Sequence, residues 1–168
     1  MIYFNYERFE DVRGYVAPIF RKGDIPSVHF VEDRISVGYK HVIKGFHGDE
    51  KTFKLFICLE GEVELREFNL KSKKWNTIRL AGNQNLMALV MPNTLNAHQV
   101  LSDKAIILYK WSHVYTSPEK QFSVYPLDTN FIDKPWPLDG VILSDRDQTA
   151  PTFAKWTDKY YGGLYGKF

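Results

Sequence analysis

Short runs of apolar and β-branched residues recur at intervals of roughly ten residues from the N-terminus to Trp111, with turn-forming residues between them. Lys54 to Leu59 is an apolar run, and after Glu60-Gly61 the chain resumes as Glu62-Val63-Glu64-Leu65, which alternates polar and apolar side chains. Such alternation is typical of a strand with one face in solvent. The pattern predicts two strands joined by a tight turn at Gly61.

Further runs of this kind predict strands throughout the region before Tyr115. These strands are Tyr3-Phe4, Phe9 to Tyr15, Ser27 to Ser36, Val37 to His47, Phe53 to Leu59, Glu62 to Asn69, Trp75 to Leu80, Leu86 to Met91, His98 to Leu101 and Ala105 to Trp111. Charged residues 71–74 predict one hairpin turn, and residues 102–104 predict another between the last two strands. Strands at this spacing predict an all-β sandwich or barrel.

The pattern changes after Tyr115, where prolines are frequent and periodic runs are few. This segment predicts an ordered arm over the β-structure that ends in a short helix near Thr152 to Tyr160. We therefore expect a single domain over residues 1–168, with N-terminal strands in 1–36, a core in 37–115 and the arm in 116–168.

Composition narrows the class of protein. Apolar residues make up 44% of the 168 residues and charged residues 25%, as in ordinary globular domains. A net charge of +2 gives no strong electrostatic case for nucleic acid, and we expect the aromatic and lysine-containing tail, residues 157–168, to pack or fray. No run approaches the roughly 18–20 apolar residues of a membrane span. The single Cys58 lies in an apolar run and is expected to be a buried thiol, and the cytoplasm is the expected compartment.

The histidines could serve either in metal binding or in metal-free acid–base catalysis. His47 and His98 lie on separate predicted strands, and Asp49 or Glu50 could complete a set of three metal ligands. However, position 49, two residues after His47, holds an aspartate, so the His-x-His spacing common in metal-binding barrels is missing.

Metal-free acid–base chemistry fits the same residues. His47 suits a base that acts near neutral pH, and Asp147 on the arm could hold its tautomer. Lys54, on the neighbouring predicted strand, could stabilise an oxyanion, and Tyr109 could return a proton. A structural role for a lone histidine and a lone tyrosine stays open at this point.

A series of motifs over residues 9 to 150 resembles, in order, the nucleotide-sugar 3,5-epimerases, a cupin family typified by dTDP-4-dehydrorhamnose 3,5-epimerase. The motifs are Arg13-Gly14-Tyr15, Phe30-Val31-Glu32-Asp33, Lys44-Gly45-Phe46-His47, Lys54-Leu55, Gly61-Glu62-Val63, Pro92, Ala97-His98, Leu101-Ser102-Asp103, Leu108-Tyr109-Lys110, Trp136-Pro137-Leu138 and Leu143-Ser144-Asp145-Arg146-Asp147. The resemblance implies a cupin jelly roll without metal or cofactor, and a homodimer whose N-terminal strands exchange between subunits.

The resemblance also implies an isomerase that inverts C3, C5 or both of a 4-keto nucleotide-diphosphate sugar used for lipopolysaccharide or capsule. It assigns the base to His47, its support to Asp147, the acid to Tyr109 and the enolate contact to Lys54. Its implied substrate-binding residues are Arg13, which reaches across the dimer, together with Lys44, His98, Glu32, Arg34 and Tyr115.

Several positions depart from the family pattern. Lys44, Glu32 and Arg34 stand where the family usually has Arg, Gln and Asn, and Val114 replaces the first tyrosine of a pair, leaving Tyr115 as a second candidate acid. These changes predict a GDP- or CDP-linked 4-keto sugar, such as a heptose, over a dTDP-linked one. The alternatives are a 3,4-ketoisomerase of such sugars and a non-catalytic or metal-dependent cupin.

Overall fold

The computed structural model describes residues 1–161, apart from the side chain of Tyr161, and consists mainly of antiparallel strands. The rest of the predicted tail, residues 162–168, lies outside the described residues. The strands are β1 (Ile2–Asn5), β2 (Phe9–Asp11), β3 (Gly14–Val16), β4 (Glu32–Tyr39), β5 (Ile43–Gly48), β6 (Lys54–Glu60), β7 (Glu62–Asn69), β8 (Lys74–Ala81), β9 (Leu86–Val90), β10 (Thr94–Val100), β11 (Lys104–Trp111) and β12 (Phe122–Ser123). The helices are a 3-10 turn (Pro118–Lys120), α1 (Asp145–Gln148) and α2 (Phe153–Tyr161).

The strands form two five-stranded sheets in the orders β1-β9-β6-β11-β4 and β12-β5-β10-β7-β8, and β2 and β3 form a separate ribbon. Both sheets contribute to one buried cluster that includes Phe56 and Ile107 from the first sheet and Leu65 and Val100 from the second. The two sheets therefore pack face to face, as in a β-sandwich. The all-β prediction and the predicted C-terminal helix are confirmed.

Three predictions about the strands are wrong. The predicted strand Phe9 to Tyr15 is divided into β2 and β3, which pair with each other as a ribbon. The last two predicted strands do not form a hairpin, because β10 pairs with β5 and β7 whereas β11 pairs with β4 and β6 in the other sheet. The predicted strand Val37 to His47 is broken into β4 and β5 by a turn in which His41 has a φ of 72°. His47 and Lys54 consequently lie in opposite sheets and not on neighbouring strands of one sheet.

The arm is fixed to the second sheet by buried polar side chains. Gln99 is fully buried, and its amide exchanges two hydrogen bonds with the backbone of Leu138 at 2.8 and 3.0 Å. The backbone of Ile142 then bonds to His41 and Ile43. These contacts position the residues that follow, which include Asp147. None of the helices within residues 1–161 has the length and apolar content that crossing a bilayer requires.

Candidate active site

A cavity of about 650 Å³ lies between the two sheets and is closed on one side by the arm. Its lining joins residues that are far apart in sequence. They are Arg34, Ile35, Ser36, Val42, Ile43, Lys44, His47, Lys54, Phe56, Asn96, His98, Tyr109, Trp111, Tyr115, Gln121, Ile142, Leu143, Ser144, Arg146 and Asp147. A space of this size, lined by many polar and charged groups together with apolar and aromatic side chains, suits a polar organic ligand.

One wall of the cavity comes from three strands in regular register, and we call it the donor wall: Arg34, Lys54, Tyr109 and Trp111. Lys54 is directly opposite Trp111, and Tyr109 is directly opposite Arg34. Tyr109 and Trp111 are two residues apart, so their side chains point to the same face of the sheet. The donor wall therefore follows from the strand period and the pairing of β4, β6 and β11.

The facing wall needs an irregular strand, and we call it the base wall: His47, His98 and Asp147. Asn96 pairs with His47 and His98 pairs with Lys44, so two residues of β5 oppose one residue of β10. This is a β-bulge, and it lets Lys44 and His47, three residues apart, both line the cavity. Gly45 lies in the bulge with a φ of 124°, and a Cβ there would come within 2.6 Å of Ala97.

His47 and Asp147 form a hydrogen-bonded pair although they are 100 residues apart in sequence. His47 Nε2 lies 2.7 Å from Asp147 Oδ1, and Asp147 is itself buried at the start of α1, where its backbone N–H bonds to Ser144 Oγ. Burial lowers the pKa of His47, although the bond to Asp147 opposes this effect. Nε2 is committed to the aspartate, so Nδ1 is the ring nitrogen left to accept a proton at neutral pH.

Burial would by itself raise the pKa of Asp147. The hydrogen bond from His47, the charge of that ring and the bond to Ser144 together outweigh burial and lower it. The carboxylate therefore stays ionised beside the imidazole, where it supports the imidazolium form that appears after proton uptake.

Lys54 is a buried cation without a paired carboxylate within the described chain. Only 3% of the residue is exposed, and its Nζ lies 4.8 Å from the centre of the Trp111 ring. Burial lowers its pKa to about 8, with a smaller lowering from Arg146 and Arg34 and an opposing effect of Asp49. Such an ammonium is available to an oxyanion that forms in the cavity.

Tyr109 and His98 meet at the inner end of the cavity, where both rings pack against Phe56. Burial raises the pKa of Tyr109 to about 12, so its hydroxyl keeps its proton at neutral pH. Burial lowers the pKa of His98 to about 3, which makes it a neutral hydrogen-bonding group rather than a cation. Both candidate acids line the cavity: the Tyr109 ring packs against Phe56 and His98, and the Tyr115 ring packs against Trp111 and Arg34.

The remaining predicted substrate-binding residues are divided. Lys44 and Arg34 line the cavity, whereas Glu32 contacts it through Arg34 and through a 2.6 Å bond from the backbone N–H of Tyr115. Arg13 does not line the cavity: its side chain is 85% exposed on the ribbon and pairs with Asp11. Within one chain it lies away from the site, so its predicted contact requires a partner subunit and stays a prediction.

Among the cavity residues that were given no role from the sequence, three have large side chains close to the candidate residues: Trp111, Phe56 and Arg146. The first two could have been found, because each lies two residues from a candidate, Tyr109 or Lys54, on the same strand. Arg146 follows Asp145 in a motif already noticed, but nothing in the local sequence indicates that its head group approaches Gln121, at 3.4 Å.

Within residues 1–161, no three His, Cys, Asp or Glu side chains come close enough together to hold a metal ion. The alternative ligand set of His47, His98 and Asp49 or Glu50 is therefore not assembled in this part of the chain. Asp49 instead accepts hydrogen bonds from the backbone N–H groups of Lys51 and Thr52.

The fold is a jelly roll whose cavity has a hydrogen-bonded imidazole–carboxylate pair on one wall and a buried ammonium and phenol on the other. A family model described as dTDP-4-dehydrorhamnose 3,5-epimerase matches residues 1–155. The chain belongs to this family and is thus an epimerase, an enzyme of the isomerase class. The predicted family is confirmed.

Individual relatives agree with this assignment. The chain is 27% identical over 161 residues to a dTDP-4-dehydro-6-deoxyglucose 3-epimerase of a Streptomyces species, covering 90% of this chain and 76% of the relative. A crystal structure of dTDP-4-dehydrorhamnose 3,5-epimerase from Elizabethkingia anophelis aligns with a TM-score of 0.78 at 28% identity, covering 91% of each chain. The Legionella pneumophila dTDP-6-deoxy-D-glucose-3,5-epimerase in complex with dTDP-4-keto-L-rhamnose aligns with a TM-score of 0.79 at 27% identity, covering 89% of this chain and 86% of that one.

Proposed function

We propose that this chain inverts C3, C5 or both of a 4-keto nucleotide-diphosphate sugar by removing and returning a carbon-bound proton. The observation that supports this most directly is the His47–Asp147 pair, joined at 2.7 Å, across one cavity from Tyr109 and Lys54. A ketone at C4 acidifies the hydrogens on both neighbouring carbons, so a neutral imidazole is a sufficient base.

The proposed reaction has two half-steps and needs no metal. His47 Nδ1 takes the proton, the electrons of the C–H bond move to the C4 oxygen, and Lys54 stabilises the resulting enolate oxygen. Tyr109 then donates its hydroxyl proton to the opposite face of the same carbon. Exchange with solvent returns the imidazolium and the tyrosinate to their starting forms.

We propose first the class of the substrate and then its nucleotide. The Legionella relative is described with a dTDP-linked 4-keto sugar, which supports a nucleotide-sugar substrate for this chain as well. The changes at Lys44, Glu32 and Arg34 lead us to propose a GDP- or CDP-linked sugar first and a dTDP-linked sugar second, for lipopolysaccharide or capsule synthesis.

We also propose a homodimer in which Arg13 reaches the partner's cavity from within the N-terminal residues 1–36. The edge strand β4 supports this, because Val37 and Tyr39 expose apolar side chains on its outer face. Mixing an Arg13→Ala variant with an inactive His47→Asn variant should restore activity, because one cavity of the mixed dimer then has both native residues. Activity no higher than that of the Arg13→Ala protein alone would contradict the exchange.

The function is tested by incubating the protein with dTDP-, GDP- and CDP-linked 4-keto sugars in D₂O, with and without prior dialysis against a chelator. We expect deuterium at C3, C5 or both for at least one substrate, at a rate that dialysis does not change. Exchange at the background rate for every substrate would refute the proposed reaction.

A further inference from the structure

The guanidinium of Arg34 is held in one orientation on the donor wall before any ligand is present. Its Cζ lies 4.9 Å from the centre of the Trp111 ring and 4.7 Å from that of Tyr115, and its Nε lies 3.3 Å from Glu32 Oε1. The planar guanidinium commonly stacks on aromatic rings in this way. Glu32 is fixed in turn by the 2.6 Å bond from the Tyr115 backbone N–H, so Arg34 is held between two aromatic rings and a fixed carboxylate.

The terminal nitrogens of Arg34 have no hydrogen-bond acceptor among residues 1–161, and the side chain, which lines the cavity, is 39% exposed. The neighbouring cations differ in this respect. Lys44 Nζ donates to Ser36 Oγ at 2.7 Å and to the Val37 carbonyl at 2.9 Å. Arg146 donates to Gln121 and to the Pro118 carbonyl.

A guanidinium fork with two free donors matches the geometry of two phosphate oxygens, and a charge-assisted pair of this kind is stronger than a neutral hydrogen bond. Pre-orientation adds to the affinity, because little side-chain freedom is lost when the ligand binds. The ligand class that this head group fits is therefore a phosphate or diphosphate.

We propose that Arg34 binds the diphosphate of the substrate and so replaces Lys44 as the main phosphate contact within the chain. This inference rests on the proposed function, in which the substrate is a nucleotide-diphosphate sugar. The cations of Arg34 and Lys54 both contact the Trp111 ring. A diphosphate bound to Arg34 therefore lies close to Lys54, the proposed enolate contact. A sugar attached to that diphosphate enters the space between Lys54 and His47.

The test is calorimetric binding of dTDP, GDP, CDP and inorganic pyrophosphate, which need no sugar chemistry, to the unchanged protein and to Arg34→Gln. We expect Arg34→Gln to weaken the preferred nucleoside diphosphate roughly 10- to 100-fold, as expected for the loss of a charge-assisted pair. Arg34→Lys should recover only part of the loss, because an ammonium keeps the charge without the fork. Arg79→Gln on the exposed face of β8 is the matched control and should bind as the unchanged protein does.

The outcomes separate this inference from the proposed function. Deuterium exchange by the unchanged protein, combined with diphosphate binding by folded Arg34→Gln within twofold of it, would overturn the role of Arg34 alone. A larger loss in Lys44→Gln than in Arg34→Gln would also overturn it. If the unchanged protein neither bound a nucleoside diphosphate nor catalysed exchange, both would be overturned.

Discussion

The donor wall and the base wall face each other across one cavity but are built in different ways. Lys54, Tyr109 and Trp111 are aligned by uninterrupted pairing of β6 with β11 at the end that forms the cavity. His47 depends on the bulge at Gly45, and its partner Asp147 arrives on an arm from the far end of the chain. The donor wall is thus fixed by local sheet geometry, whereas the base wall is fixed by long-range packing.

The opposition of the two walls has a chemical consequence for inversion. Face-to-face sheets lie about 10 Å apart, which leaves room for one flat sugar ring between side chains from the two sides. In the proposed reaction, an enolate in this space presents one face to His47 and the other to Tyr109. Abstraction by one wall and return by the other invert the carbon, whereas removal and return by the same wall only exchange its hydrogen.

The largest effect is expected for the base wall itself. His47→Asn removes the proton acceptor and keeps a polar side chain of similar size, so deuterium exchange should fall roughly 10³-fold or more. Exchange is measured by mass spectrometry of the sugar, and circular dichroism checks the fold. His29→Asn, at an exposed position, is the control. Exchange in His47→Asn within tenfold of the unchanged protein would remove His47 from the role of base.

The second-largest effect is expected on the donor wall, where one substitution should lower activity without lowering stability. Lys54→Met removes the ammonium at the enolate oxygen, so kcat should fall roughly 10²- to 10³-fold. The same change removes a buried charge that has no paired carboxylate, so the thermal midpoint should stay the same or rise. Kinetics and thermal unfolding of Lys54→Met and of the exposed control Lys51→Met measure the two effects. A lower thermal midpoint of Lys54→Met together with an unchanged kcat would contradict the proposed role of Lys54 at the enolate oxygen.

Tyr109→Phe should separate the two walls. The base remains, so we expect exchange of the substrate's own hydrogen to persist within about tenfold, while inversion falls roughly 10²-fold. The ratio of inverted to exchanged sugar, measured by NMR, is the readout, and Tyr39→Phe on the outer face of β4 is the control. An unchanged ratio would transfer the role of acid from Tyr109 to Tyr115 or to solvent.

The same difference between the walls explains what could be predicted from the sequence. Alternation of polar and apolar residues predicted the all-β class. It could also have placed Trp111 beside Tyr109 in the cavity, because side chains two residues apart lie on the same face of a regularly paired strand. It did not predict that β10 and β11 belong to opposite sheets, since a short turn such as residues 102–104 also fits a crossover. The bulge at Gly45 interrupts this two-residue period. The His47–Asp147 pair was proposed from the support that a histidine base needs and was then also implied by the family resemblance, because strand spacing does not relate two residues 100 positions apart.

The smallest effect is a pH dependence that belongs to the donor wall alone. Burial lowers the pKa of Lys54 to about 8, so the ammonium is lost as the pH rises through that value, and kcat/KM should fall up to tenfold per pH unit above it. Tyr109, with a pKa raised to about 12, stays protonated over the same range. Lys44 is the other cavity lysine whose pKa burial lowers, so Lys44→Met serves as the control that keeps the alkaline decline.

Stability should change in the opposite direction over the same pH range. Between about 8 and the ordinary lysine value near 10.5, the unfolded chain binds the Lys54 proton and the folded chain does not. The contribution of Lys54 to the free energy of unfolding therefore rises with pH while activity declines. Denaturant unfolding of the unchanged protein and of Lys54→Met from pH 7 to 10 measures this difference. An alkaline decline in kcat/KM that persisted in the residual activity of Lys54→Met would place the titrating group outside the donor wall.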